Sequence, residues 1–145
     1  MTGFFDGAIN FDGSEGNKTG GTLVSNSKSA FLVKFNSEGK LLKAISFSGD
    51  GTSQGQAVKV SKEGNVYLAG FFDGVLKAGE ITFSSAGAAD IFLACYDKNL
   101  NLSWIKKWGS SGNDKINPAA IDLDADSNIY LAGEFSGTVY FSDFK

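Results

Sequence analysis

The chain has 145 residues and a formal net charge of −3, and its 19 Gly and 13 Phe stand against one Pro, one Met and one Cys. It contains no His, and all 13 of its cationic side chains are Lys. The length permits one ordinary domain with a buried core, whereas the negative charge and the missing Arg argue against a nucleic-acid surface.

A five-residue segment near the N-terminus recurs along the chain. Residues 3–7, Gly-Phe-Phe-Asp-Gly, return unchanged at 70–74 and in weaker form at 133–137. The three copies are therefore spaced by 67 and 63 residues. Self-similarity at a nearly fixed spacing indicates a repeat architecture. We therefore divide the single unit 1–145 into a first repeat at about 3–69, a second at about 70–132 and the start of a third at 133–145.

The segments between turn signals are short and rich in β-branched and aromatic residues, which predicts strands. In the first repeat, strands are predicted at 30–36 and 41–47, and these align with 91–97 and 102–108 in the second. One complete repeat has strands near 57–60, 66–72, 91–97 and 102–108. No window carries a sustained helical stripe of apolar residues, so the predicted fold class is all-β.

Four antiparallel strands in a period of this length form one blade of a β-propeller. The chain is therefore predicted to hold about two blades. The third strand is apolar on both faces, with Phe92, Ala94 and Tyr96 on one and Ile91 and Leu93 on the other. A strand buried on both faces suits a blade packed between two neighbours.

The order of three motifs carries a family resemblance. Residues 64–74 (Gly-Asn-Val-Tyr-Leu-Ala-Gly-Phe-Phe-Asp-Gly), 89–97 (Ala-Asp-Ile-Phe-Leu-Ala-Cys-Tyr-Asp) and 102–109 (Leu-Ser-Trp-Ile-Lys-Lys-Trp-Gly) resemble the bacterial β-propeller repeat known as SBBP over nearly the whole chain. The first repeat departs from it at Lys43, where the second has Trp104, and in its longer loop 13–21. The resemblance implies a blade of exported or cell-surface bacterial proteins, with no common activity and no catalytic residues.

An alternating run of oxygen ligands is the one candidate for a metal site. The run consists of Asp122, Asp124, Asp126 and Asn128, and such spacing suits a hard cation such as calcium. However, Ser127 replaces the turn Gly of calcium loops, and Gly133 stands where the closing acidic residue is needed. A solvated β-turn explains the same pattern, and we expect that turn, with no metal or other cofactor.

Three further features have ordinary structural explanations. Residues 49–55 are glycine-rich, but they lead into a strand and lack the Lys-Ser/Thr pair of a phosphate loop, which predicts a blade-connecting loop. Cys95 has no His to activate it and is expected in the core. Four phenylalanines could form a sugar-stacking surface, although packing between blades is the expected role of Phe4, Phe5, Phe71 and Phe72.

These observations favour a non-catalytic interaction scaffold, part of an extracellular or bacterial cell-surface protein. The first alternative is a glycan-binding, lectin-like propeller, and the second is a hydrolase of unknown substrate. The chain has no apolar stretch long enough to span a bilayer, and its N-terminus lacks the features of a signal peptide. The partner is expected to be a protein, or a second copy bound through blade faces and edge strands.

The position of the repeats predicts how copies would join. Thr2-Gly3-Phe4-Phe5 corresponds to Ala69-Gly70-Phe71-Phe72, so the chain begins in mid-blade, as though it were cut from a longer array. The C-terminal strand 129–135 is expected to lack a partner of its own. We therefore expect a homo-oligomer in which this strand completes the first blade of a neighbour.

Overall fold

The computed structural model describes residues 1–13 and 21–141, so most of the long loop 13–21 and the last four residues of the third repeat lie outside the described residues. The described chain forms strands and no helix, which confirms the all-β prediction. None of its elements is therefore a helix that could cross a membrane. The strands are β1 (Thr2–Asn10), β2 (Thr22–Phe35), β3 (Leu41–Ser46), β4 (Ser53–Val60), β5 (Val66–Phe72), β6 (Val75–Ala78), β7 (Ile81–Ser84), β8 (Asp90–Tyr96), β9 (Leu102–Trp108), β10 (Ile121–Leu123) and β11 (Ile129–Leu131).

The strands pair in four antiparallel sheets. The first sheet has the order β1-β2-β3, and the central sheet has the order β4-β5-β8-β9. The remaining strands form the short hairpin β6-β7 and the C-terminal pair β10-β11. The four strands predicted for a complete repeat are thus observed as one sheet. The hairpin β6-β7, which the sequence pattern did not predict, is inserted between its second and third strands.

The repeat of the sequence is also a repeat of strand register. In β2-β3, Phe31 lies opposite Ser46, and in β8-β9 its equivalent Phe92 lies opposite Lys107. Both pairs are also interrupted by an irregularity at the same place. Because register decides which face each side chain takes, equivalent residues of the two repeats point to equivalent faces.

The C-terminal strand has a partner within the chain. Ile121 of β10 lies opposite Leu131 of β11, in the register that Val58 and Leu68 have in β4-β5. The expectation of an unpartnered strand over 129–135 is therefore wrong. The strand exchange built on it is also dropped, because both β11 and β1 are equivalents of β5, whereas the first sheet lacks the equivalent of β4.

Two apolar clusters lie between the sheets, one on each face of β8. Phe92, Ala94 and Tyr96 of β8 pack in a cluster with residues of the first sheet such as Leu32. The intervening residues, among them Leu93, pack against the pair β10-β11. All seven residues of β8 are buried, as the alternation of its apolar residues predicted. The first sheet, the central sheet and the C-terminal pair therefore form a stack.

A third cluster lies on the face of the first sheet that points away from the central sheet. Phe31 and Val33 of β2 are buried there, and side chains from the far ends of β1 and β2, among them Ile9 and Phe11, pack over them. The ring centres of Phe11 and Phe31 are 5.0 Å apart. The outer part of the β1-β2 hairpin, residues 7–11 and 21–25, is called the arm, and it covers part of this face.

Candidate interaction surface

Four loops of the chain share one five-residue turn. The turns begin at Asn36, Ser61, Asp97 and Asp124, and in each the amide of the first residue donates to the carbonyl of the fifth. In three of them the first side chain is Asn or Asp, and its Oδ1 accepts from the amides two and four residues ahead. These bonds make the local Asx-type turn that such residues favour.

The predicted metal candidate is one of these turns. Oδ1 of Asp124 accepts from the amides of Asp126 at 3.0 Å and Asn128 at 2.9 Å, and Oδ2 accepts from Asn128 Nδ2 and Tyr130 Oη. The bonds from Asn128, side chain first, hold the pKa of Asp124 below its usual range. Asp122 instead forms an ion pair with Lys59.

The carboxylate of Asp124 is therefore already engaged in the turn. Within residues 1–13 and 21–141, no group of three His, Cys, Asp or Glu side chains is arranged to hold a metal ion. That calcium does not bind here stays a prediction, and its test is given in the Discussion.

An open apolar groove lies where the central sheet meets β11. We call it the Trp groove, and its volume is about 290 Å³. Both tryptophans of the chain line it. The described residues that line it are Ile91, Leu93, Trp104, Trp108, Ile129, Leu131, Gly133, Phe135 and Phe141. Because most of these residues also belong to the second cluster or pack against it, the groove is the open continuation of the contact between the central sheet and the C-terminal pair.

The first repeat has a contact equivalent to the Trp groove, and a phenylalanine is buried there. Phe47 is the first-repeat equivalent of Trp108, and it is buried, with 2% of its surface exposed. Its ring centre lies 5.0 Å from that of Phe92 in β8. Trp108 instead has the ring of Phe141 at 6.4 Å, and no strand equivalent to β8 follows β11 in the described chain. The Trp groove thus corresponds to the contact that β8 fills around Phe47.

The departure at Lys43 also has a structural meaning. In the filled contact, Lys43 Nζ donates to the carbonyls of Asn99 and Leu100 and to Asn101 Oδ1, on the turn that joins β8 to β9. At the equivalent position, Trp104 lines the groove, with its ring centre 6.2 Å from that of Tyr67. The groove therefore offers an indole where the filled contact has an ammonium.

The four phenylalanines singled out in the sequence do not form one exposed surface. Phe5 and Phe72 are buried, in the third and first clusters respectively. Phe4 is 49% exposed, but the ammonium of Lys28 lies 4.9 Å from its ring centre. Phe71 has Lys115 Nζ at 5.3 Å. Core packing therefore accounts for Phe5 and Phe72, and cation–π contacts account for Phe4 and Phe71.

The glycine-rich segment 49–55 is a connecting loop that leads into β4, as predicted. Its glycines are required by close backbone approach. A Cβ atom added at Gly49 would lie 1.7 Å from the carbonyl oxygen of Val75, and one at Gly51 would lie 1.9 Å from that of Asp73. The Asp73 carboxylate accepts from the amide and hydroxyl of Thr52 at 2.7 and 2.6 Å. These close contacts and hydrogen bonds therefore hold the loop against the start of β6.

Cys95 is a core residue. It is buried in the second cluster, and this burial raises the pKa of its thiol. A protonated, inaccessible thiol is a poor nucleophile.

Two buried carboxylates were not recognised from the sequence. Asp90 is fully buried and pairs with Lys107 Nζ at 2.8 Å. Asp114, also fully buried, accepts from the amide and hydroxyl of Ser110 and from the amide of Ser136. Burial alone would raise the pKa of Asp114, but these bonds outweigh it and hold the pKa below its usual range. Both carboxylates fix loops rather than facing an open pocket.

No protein-family model matches the chain, and no curated protein is significantly similar to it. The resemblance to the SBBP repeat therefore stays a prediction.

Proposed function

We propose that this chain is a non-catalytic interaction scaffold built from β-propeller-type blades, and that it binds another polypeptide through the Trp groove. The blade proposal is supported by the four-stranded antiparallel central sheet in chain order and by the repeated register of its strand pairs. Location at a bacterial surface or outside the cell is part of the proposal and rests on the family resemblance alone.

One observation carries the binding function. The repeat contact that β8 fills around Phe47 leaves a groove beside Trp108, and clefts lined mainly by apolar and aromatic side chains are common ligand-binding sites of proteins. Tryptophan is also enriched among the residues that dominate binding energy at interfaces. The groove therefore has the composition of a protein-binding surface.

A glycan is the second candidate, and the observation in its favour is the pair Trp104 and Trp108 in one open groove. Aromatic faces can stack on sugars, but a sugar also needs polar groups that fix its hydroxyls. Among the residues that the structure describes, none of those lining the groove has a charged or hydroxyl side chain. A polypeptide with apolar side chains therefore suits the groove better than a sugar.

Display selection tests the proposal directly. A random dodecapeptide library is selected on the wild-type chain and counter-selected on the Trp108→Ala variant, in parallel with a glycan array. We expect enriched peptides that need Trp108 and no glycan signal. Glycan binding that disappears in the variant would favour the lectin alternative instead. Ester or glycoside hydrolysis by the purified chain would refute a non-catalytic function.

A further inference from the structure

The hairpin β6-β7 forms a small sheet of its own between β5 and β8 of the central sheet. Each of its strands has four residues, and Gly79 and Glu80 join them. A two-stranded hairpin is at best marginally stable in water when it stands alone. The order of this hairpin therefore depends on the surface against which it packs.

One face of the hairpin is buried between the first sheet and the central sheet. Leu76 and Ala78 are only 1% and 4% exposed, and both belong to the first cluster, which also contains Phe47. Lys77, which lies between them in β6, is exposed, as the alternation of side chains along a strand requires. The hairpin thus adds an apolar face to the contact between the two sheets.

Main-chain bonds tie the hairpin to the loop that follows β3. The amide of Ser48 donates to the carbonyl of Lys77 at 3.1 Å, and the amide of Lys77 donates to the carbonyl of Ser48 at 2.6 Å. The amide of Val75 donates to Asp50 Oδ1 at 2.9 Å. Although the hairpin is inserted in the central sheet, these bonds therefore connect it to the chain that leaves the first sheet.

The arm of the first repeat is built in the same way. With an offset of 67 residues, Ile9 corresponds to Leu76. Ile9 lies opposite Leu23 in the arm, and Leu76 lies opposite Phe83 in the hairpin. The first pair packs against the third cluster, and the second pair packs in or against the first cluster. Both insertions thus cover the equivalent face of their own sheets, so this placement is a property of the repeat.

We propose that β6-β7 is a strap that clamps the central sheet to the first sheet and opens as one unit, before either sheet unfolds. Opening breaks the bonds of Ser48, Val75 and Lys77 together and withdraws Leu76 from the first cluster. Such cooperative units open at a lower free energy than the whole fold. The inference goes beyond the proposed function, because the strap contains no residue that lines the Trp groove.

Native-state hydrogen exchange in rising, sub-denaturing urea tests the strap directly. The amides of Ser48, Val75 and Lys77 should exchange through one common opening. They should exchange faster than the amides of β5, which is paired on both edges. Exchange of the three strap amides only together with those of β5 would overturn the inference. Separate openings for Ser48 and Lys77 would overturn it as well.

Two buried substitutions separate strap opening from global unfolding. Leu76→Ala should speed exchange of the Ser48 amide by about thirtyfold or more, as for loss of a buried leucine side chain. Leu93→Ala, on the other face of β8 in the second cluster, should speed exchange in β5 and leave the strap amides unchanged. Thr82→Ala, at an exposed position of the hairpin, is the matched control and should change neither. Faster strap exchange in Leu93→Ala would contradict an independent opening.

Proteolysis gives a second measurement of the open population. Lys77 is the one lysine between residues 75 and 84, and cleavage of a transiently opened segment follows its open population when opening is fast. Trypsin should therefore cut after Lys77 faster in Leu76→Ala than in Thr82→Ala, by about the same factor as hydrogen exchange. Equal cleavage rates in the two variants would count against the strap.

A disulfide provides a test that does not weaken the core. Directly hydrogen-bonded antiparallel residues have Cα atoms about 5.5 Å apart, which suits a disulfide. In the double variant Ser48→Cys/Lys77→Cys, the oxidised bond should slow exchange of the Val75 amide to the rate of the β5 amides, and reduction should restore the faster rate. A Val75 amide that exchanges equally fast in the oxidised and reduced forms would overturn the inference.

Discussion

Replacement of Asp114 by Asn is expected to destabilise the chain strongly, because its carboxylate is fully buried and accepts three hydrogen bonds. The side-chain amide of the variant keeps one oxygen, which can still accept from the Ser136 backbone amide and the Ser110 hydroxyl. Its NH₂ group then faces the Ser110 amide, so that two donors oppose each other. The loss of one charge-assisted bond and the unsatisfied buried donor should cost about 2 to 3 kcal/mol of unfolding free energy.

The effect can be measured by thermal and urea unfolding monitored through Trp emission. For a chain of this length, about 3 °C of melting temperature corresponds to 1 kcal/mol, so we expect a decrease of about 6 to 9 °C. Ser110→Ala removes one hydroxyl donor and should cost less. Asp124→Asn is the matched control at an exposed carboxylate. Asn36 already accepts the two main-chain bonds of such a turn, but Oδ2 of Asp124 also accepts from Asn128 and Tyr130. Because this site is exposed, Asp124→Asn should lower the urea midpoint much less than Asp114→Asn does.

The pH dependence gives an independent check on Asp114. Its pKa is lower in the folded chain, so the carboxylate stabilises the fold above the pKa of the unfolded side chain, which is about 3.9. This contribution shrinks as the pH falls below that value and is lost once the folded pKa is passed. The stability difference between wild type and Asp114→Asn should therefore narrow between pH 6 and pH 3. An unchanged melting temperature at pH 7, or a difference that widens in acid, would refute the hydrogen-bond argument.

Three other outcomes are expected. Calcium should not raise the melting temperature, because the turn already uses both oxygens of Asp124; a shift of several degrees that Asp124→Ala abolishes would contradict this. Phe47→Ala should cost about 3 to 5 kcal/mol in urea unfolding. Trp108→Ala should cost less, because the indole at the equivalent position is only partly buried; equal costs would contradict the difference in burial between the two positions. Gly70→Ala should lower the melting temperature clearly, because its Cβ would meet the Phe92 ring, whereas Gly79→Asn should not, because its φ of 60° is one that Asn tolerates.

The turns illustrate how far local sequence information reaches. An Asx turn depends on a side chain and the next four backbone amides, so the pattern around Asp124 contains nearly everything that determines it. The same alternating oxygens also suit a calcium loop, and only the hydrogen bonds to Asn128 and Tyr130 show how the carboxylate is used. The hairpin β6-β7 escaped prediction because polar Lys77 and Glu80 interrupt its apolar pattern, although Leu76 is buried against the rest of the core.

The sequence by itself determined the repeat, the all-β class and the inward residues of β8, because strand periodicity and turn chemistry are local properties of the chain. Only the tertiary structure decided which equivalent residues are buried. Phe47 and Trp108 occupy the same position in two repeats, yet one is enclosed by β8 and the other lines an open groove. Burial depends on whether a third strand lies across the position, and that is a property of neighbouring segments rather than of the residue's own pattern.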